Sequence, residues 1–195
     1  MFGSQNMKPD IVLALYKDSR TVFRLIDIAM LINETGLESL SKKLNYYVRK
    51  KHLLNPRKGL YTKPDYNKEE LACRLYTPSY ISLEWVLQKA GILFQFSTTI
   101  TVVSYLSRQV EIESLGLRYR KIRGEILVNT VGINRLPGYI NRASPERAFL
   151  DLLYLDPDFY FDNIHPLQKT ALLELAPIYH SKSLTQRLSR LIRNG

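Results

Sequence analysis

The spacing of apolar positions divides the chain into a helical first third and a mixed remainder. In KPDIVLALYKDSR, residues 8–20, Ile11, Val12, Leu15 and Tyr16 recur at helical spacing behind Pro9, which suits a helix's first turn. After VFRL at 22–25, the compact run LIDIAMLIN at 25–33 predicts a second helix. It should stop at ETG, with Gly36 taking the left-handed conformation of a tight turn. ESLSKKLNYYVRKKHLL at 38–54 predicts a third helix, ended by Asn55 and Pro56. In RKGLYTKP at 57–64, Gly59 signals a turn and LYT a short strand rising from it. Helix, tight turn, helix and hairpin in that order predict a winged helix-turn-helix.

KPDYNKEELACRL at 63–75 reads as a connector and places a domain boundary between 63 and 72. Residues 1–68 then form the winged helix-turn-helix and residues 69–195 a second domain. In that second part PSYISLEWVLQKAG at 78–91 predicts a helix, and STTITVVSYLS (97–107), LRYRKI (117–122) and EILVNT (125–130) predict strands. Three further helices are expected at 144–155, 165–180 and 183–194. The expected fold class is therefore α+β, an N-terminal winged helix-turn-helix followed by a mixed α+β C-terminal domain.

Composition supports packed cores: 45% of the 195 residues are hydrophobic and 11% aromatic. Charge adds direction, because 28 Lys and Arg against 18 Asp and Glu leave +10. That excess points to a polyanion, nucleic acid or an acidic membrane surface, and its distribution separates the two. Between 38 and 63 stand eight basic residues and one acid, Glu38. On a helix advancing about 100° per residue, Leu40, Leu44, Tyr47 and Val48 form one apolar stripe. Glu38, Lys42, Asn45, Tyr46 and Arg49 fall opposite, flanked by Ser39 and Lys50, with Lys43 nearby. These are the residue types that contact base edges and phosphates, so the expected DNA-reading set is Ser39, Lys42, Lys43, Asn45, Tyr46, Arg49 and Lys50. Arg57 and Lys58, just before Gly59, join it from the wing tip, while Tyr61 is expected to pack beneath. The bland alternative is a helix face made basic for solubility.

No enzymatic chemistry is expected. Cys73 is the sole cysteine, which excludes an intramolecular disulfide and a Cys-based zinc site. His52, His165 and His180 lack metal-ligand spacing, and neither a phosphate-cradling glycine loop nor a nucleophile elbow occurs. Neither a metal nor a cofactor is expected. Gly3-Ser4 opens like a nucleotidyltransferase signature, but no alternating Asp pair follows. Asp156-Pro157-Asp158 reads as a solvated turn. MFGSQNMKPD holds no apolar run of signal length, and no segment reaches the ~18 apolar residues of a membrane span, so the cytoplasm is expected and a membrane partner is not.

The helix at 144–155 begins well, with Ser144 as N-cap, Pro145 behind it and Glu146 in the first turn. Ala148, Leu152 and Leu155 make its apolar stripe, widened by Phe149 and Leu153. Glu146, Arg147 and Asp151 read as a surface ion-pair set or a partner-facing patch, with structure the favoured purpose.

Three segments carry a family resemblance. VFRLIDIAMLINETGLESLSKKLNYYVRKKHLLNPRKGLYTKP is similar to the winged helix-turn-helix of the AbiEi family of antitoxins, transcriptional regulators of type IV toxin–antitoxin systems. YTPSYISLEWVLQKAGI at 76–92 and ASPERAFLDLLYLDP at 143–157 resemble two segments of that family's following domain. The motif residues are Tyr76, Pro78, Ser79, Tyr80, Ser82, Ser144, Glu146, Arg147 and Asp151, structural or partner-facing. The resemblance implies autorepression through the N-terminal domain and a nucleotidyltransferase toxin as functional partner, neutralised without a stable complex. Operator duplex DNA, bound by two copies on paired half-sites, is the expected nucleic acid. Three alternatives stay open: a solitary winged-helix regulator, a protein that binds its toxin directly, and an RNA binder stacking bases on Tyr46, Tyr47, Tyr61 and Tyr66.

Overall fold

The computed structural model describes residues 10–194, so Pro9 and the Gly3-Ser4 pair lie outside the described residues. α1 (Ile11–Lys17) is capped by the Asp10 carboxylate, which accepts from the backbone of Val12 and Leu13. β1 (Val22–Arg24) leads into α2 (Leu25–Leu31) and α3 (Leu37–Arg49), and β2 (Leu54–Arg57) and β3 (Leu60–Thr62) form the wing hairpin. The strands order β1-β3-β2, all antiparallel, and complete a winged helix-turn-helix.

Both helix ends in this module differ from expectation. The left-handed residue closing α2 is Asn33 (φ 54), not Gly36, which sits at φ −85 as the N-cap of α3. Asn33 N–H donates to the Met30 carbonyl and Glu34 N–H to Ala29, a Schellman closure, and asparagine is the non-glycine residue best suited to that conformation. α3 stops at Arg49 rather than at Leu54. Lys51 (φ 60) turns left-handed, and Lys51 and His52 donate back to Val48 and Tyr47. Asn55 and Pro56 therefore belong to β2.

The segment expected as a connector is a helix, α4 (Lys68–Leu75), because the Asn67 side chain caps Glu69 and Glu70. Then come β4 (Ser79–Ile81), α5 (Glu84–Lys89), β5 (Ile100–Ser104), β6 (Arg108–Ile112) and β7 (Leu115–Lys121). α6 (Gly124–Val128), β8 (Ile133–Leu136), β9 (Ile140–Ala143) and α7 (Pro145–Leu155) follow. α8 (Lys169–Leu175), a 3-10 turn (Ala176–Tyr179) and α9 (Lys182–Asn194) close the chain. The mixed sheet runs β6-β7-β5-β4-β9-β8, with β5/β7 and β4/β9 parallel. The fold is α+β.

Three local expectations differ from the structure. Pro78–Ser82 begins not a helix but the central strand β4, whose partners lie far away at β5 and β9. EILVNT at 125–130 is not a strand: Ile126 and Leu127 are buried on one face of the short helix α6, where apolar spacing alone does not discriminate. The helix expected over 165–180 is shorter and broken, since Pro177 leaves only a 3-10 turn after α8.

Buried side chains gather in two clusters. The smaller holds Ile11, Leu15, Phe23, Ile28, Leu40, Leu44, Leu53 and Tyr61, and the larger fills the rest of the chain. The three-stranded sheet lies between them. Successive strand residues face opposite sides, so Phe23 and Tyr61 enter the smaller cluster while Val22 and Leu60 enter the larger. The base of the wing is thus buried on both faces.

Candidate nucleic-acid interface

α3 presents its two faces as the spacing requires. Leu40 and Leu44 are fully buried and Tyr47 and Val48 pack against their cluster. Ser39, Lys42, Asn45, Tyr46, Arg49 and Lys50 are exposed together on the outer side. Lys42 pairs with Glu38 at 2.9 Å, one turn earlier, and the Lys50 ammonium stands 5.9 Å from the Tyr46 ring centroid. Both contacts lie in solvent and are readily exchanged. Lys43 turns aside and binds Glu34 at 2.8 Å.

At the wing, Gly59 takes φ 78 in the β2–β3 turn, which leaves Lys58 exposed at the tip. Arg57 is held differently from its neighbour. Its Nη1 donates to the Tyr76 hydroxyl at 2.8 Å, and its guanidinium stacks over that ring at 5.1 Å. Tyr61 is buried, as expected, 3.4 Å from the Ser41 hydroxyl. Of the four tyrosines considered as base-stacking platforms, Tyr46 alone is exposed; Tyr61 is buried, and Tyr47 and Tyr66 are half-buried against the cores.

The motif residues of the second domain turn inward. Arg147 and Asp151, expected at the surface, are both fully buried. The reason is a complete set of partners. Arg147 Nε donates to Asp151 Oδ1, Nη1 to the Asn129 and Val131 carbonyls, and Nη2 to the Ile126 carbonyl and the Tyr80 hydroxyl, which uses all five guanidinium donors. Asp151 also accepts from Ser82 at 2.7 Å, Tyr80 at 3.1 Å and Tyr179 at 2.7 Å. Burial drives both phenols well above their ordinary values, so they remain donors. Glu146, also buried, accepts from the Gln168 backbone. Ser144 caps α7 as expected, Ser79 donates to the Cys73 carbonyl, and Tyr76 stands edge-on to Tyr119. Pro78 follows a cis peptide bond at the exposed end of β4.

The seam between the two cores carries residues that sequence spacing does not mark. Glu70 accepts from the backbone of Thr21 and Val22 and from the Thr21 hydroxyl. At the start of α2, Asp27 accepts from Arg24 N–H and pairs with Arg74, while Arg24 Nη2 donates to Thr77 Oγ1 and the Arg74 carbonyl. The acid-capped first turn of a helix was the one available signal, and it named no partner. Among the described residues no group of three or more His, Cys, Asp and Glu could hold a metal ion, and no helix is long and apolar enough to cross a membrane. Burial pushes the Cys73 thiol up to about 11, so it is not a thiolate nucleophile near neutral pH.

No family model matches the chain, and no curated protein matches it. Among solved structures, the RV2827C protein from Mycobacterium tuberculosis is similar in fold, with a TM-score of 0.56 and 14% identity over 94% of this chain and 75% of that one.

Proposed function

We propose that this protein is a cytoplasmic, non-enzymatic transcriptional repressor that reads duplex operator DNA and serves as the antitoxin of a type IV toxin–antitoxin system. One observation carries the DNA reading: six polar or basic side chains stand exposed on the outer face of α3, with the exposed Lys58 at the wing tip. In this reading Lys42, Asn45, Tyr46 and Arg49 enter the major groove, and Lys50, Lys58 and Ser39 hold phosphates. Lys43 and Arg57, already engaged by Glu34 and Tyr76, contribute at the margin. Two copies occupy paired half-sites. The burial of Tyr61 and the half-burial of Tyr47 and Tyr66 favour this over RNA stacking.

The antitoxin role is supported by the resemblance of the segments at 76–92 and 143–157 to the AbiEi family. Tyr80, Ser82, Arg147 and Asp151 are buried and so offer a toxin no surface of their own, which accords with neutralisation without a stable complex. The decisive test is fluorescence anisotropy with the gene's own promoter duplex and a single-stranded RNA of equal length. With ~5 phosphates neutralised, log K falls against log[salt] with slope ~−4.5. A slope near zero, or tighter binding to the RNA, overturns the DNA reading. Co-expression with a neighbouring nucleotidyltransferase toxin should restore growth, and failure to do so removes the antitoxin role.

A further inference from the structure

A cleft of about 660 Å³ opens beside the seam, between the C-terminal turn of α4, the start of β4, the loop after α6 and the β8–β9 hairpin. That size fits a small-molecule site. Its charge is one-sided, because Arg74 and Arg135 line it and none of its lining residues is a carboxylate. Arg135 is exposed and makes no side-chain hydrogen bond or ion pair with a described residue. The Nε of Arg74 is buried and has no hydrogen-bond partner, although its Nη2 is held by Asp27. Asp27 thus leaves part of that guanidinium's donor set unused. Ser79 and Asn129 add neutral hydrogen-bonding groups, and Leu127, Val128 and the Tyr139 ring give apolar walls.

We infer that this cleft binds a small organic anion, a carboxylate or phosphate ester with an aromatic or apolar body, and that α2 senses its occupancy. The anionic head meets Arg135 and Arg74, while the body lies along Leu127, Val128 and Tyr139. Arg74 is the coupling residue, since the same guanidinium holds Asp27 in the first turn of α2 and lies 5.1 Å from the centroid of Tyr139. Thr77, also on the cleft, is held by Arg24 at the N-cap of α2. An anion that competes with Asp27 for Arg74 loosens one of the two clips positioning the helix-turn-helix. The coupling half of this inference rests on the DNA reading above; the binding half does not.

Calorimetry on the full chain, with phenyl phosphate, benzoate and uncharged benzyl alcohol as probes, separates these outcomes. At least one anion should bind, at least tenfold more tightly than benzyl alcohol, and the tighter anion assigns the head group. Arg135→Gln and, independently, Val128→Glu should each weaken that anion at least tenfold. Both positions are exposed, so the variants keep the fold. Binding that ignores both substitutions, or no preference over benzyl alcohol, overturns the site. Saturating anion should also change the affinity for promoter duplex at least fivefold, within the usual range of allosteric coupling. An unchanged DNA affinity overturns the coupling. If the unliganded chain binds no duplex at all, the DNA reading fails and calorimetry alone decides the site.

Discussion

Arg147 and Asp151, one turn apart on α7, are joined at 3.3 Å with neither side chain exposed to solvent. Because Asp151 keeps only hydroxyl donors once the guanidinium is gone, Arg147→Ala should cost about 3–5 kcal/mol in urea unfolding. The double change Arg147→Met with Asp151→Leu should cost clearly less than the sum of the two single changes, since it removes both charges together. Additive losses would show that the pair does not act as a unit.

The placement of Asn33 and Gly36 predicts a reversal of the usual glycine rule. A Cβ on Gly36 would meet nothing nearer than 3.5 Å, and its φ is ordinary, so Gly36→Ala should change stability by less than about 0.5 kcal/mol. Asn33→Val puts a branched side chain at φ 54 and should cost about 1–2 kcal/mol. Thermal melts of the two variants suffice to check the order.

Gly138 carries the opposite expectation. At φ 78 its added Cβ would lie 3.0 Å from Glu70 Oε2, the oxygen that accepts from Thr21. Gly138→Ala should therefore destabilise by about 1–3 kcal/mol through strain and weakened hydrogen bonds at the seam. Hydrogen exchange at the Thr21 and Val22 amides should rise first.

On DNA, Lys58 and Arg57 should behave differently although they are adjacent. Lys58→Ala should reduce the magnitude of the salt slope by about 1. Arg57→Ala should reduce it less, because that guanidinium is bound to Tyr76. Arg49→Ala should cost about 1–3 kcal/mol against the preferred operator and relax preference at one position. Equal slopes for the two wing variants would refute the assignment.

Stability should fall in acid through two carboxylates. Burial alone would raise Glu69, but donors from Lys89, Trp85 and Arg142 outweigh it and hold the group below its ordinary 4.5. The Arg20 side chain, bonded directly to it, holds Asp18 below 3.8. For depressed values the stabilising contribution is fully present above the ordinary pKa and is lost as pH falls through the folded one. Urea midpoints should thus drop below about pH 4.5, and Glu69→Gln, at a cost of about 1–3 kcal/mol near neutrality, should flatten that dependence.

The periodic elements were readable from sequence. The Leu40–Leu44 stripe of α3 and the Ser144 cap of α7 stand where spacing put them, because both depend on residues within a few positions of one another. The outer face of α3 was legible for the same reason: what is not on the apolar stripe is left to solvent. Segments whose conformation depends on distant partners were misread. Ser79–Ile81 is strand only because β5 and β9 flank it, and Arg147 lies inside only because Tyr80 and the carbonyls of Ile126, Asn129 and Val131 converge on it. Local sequence determined the apolar stripe and basic face of α3 and the N-cap of α7. Tertiary structure decided which charges are buried, where α2 is clipped to the second domain and what the cleft at that seam presents, because each depends on groups brought together from remote positions in the chain.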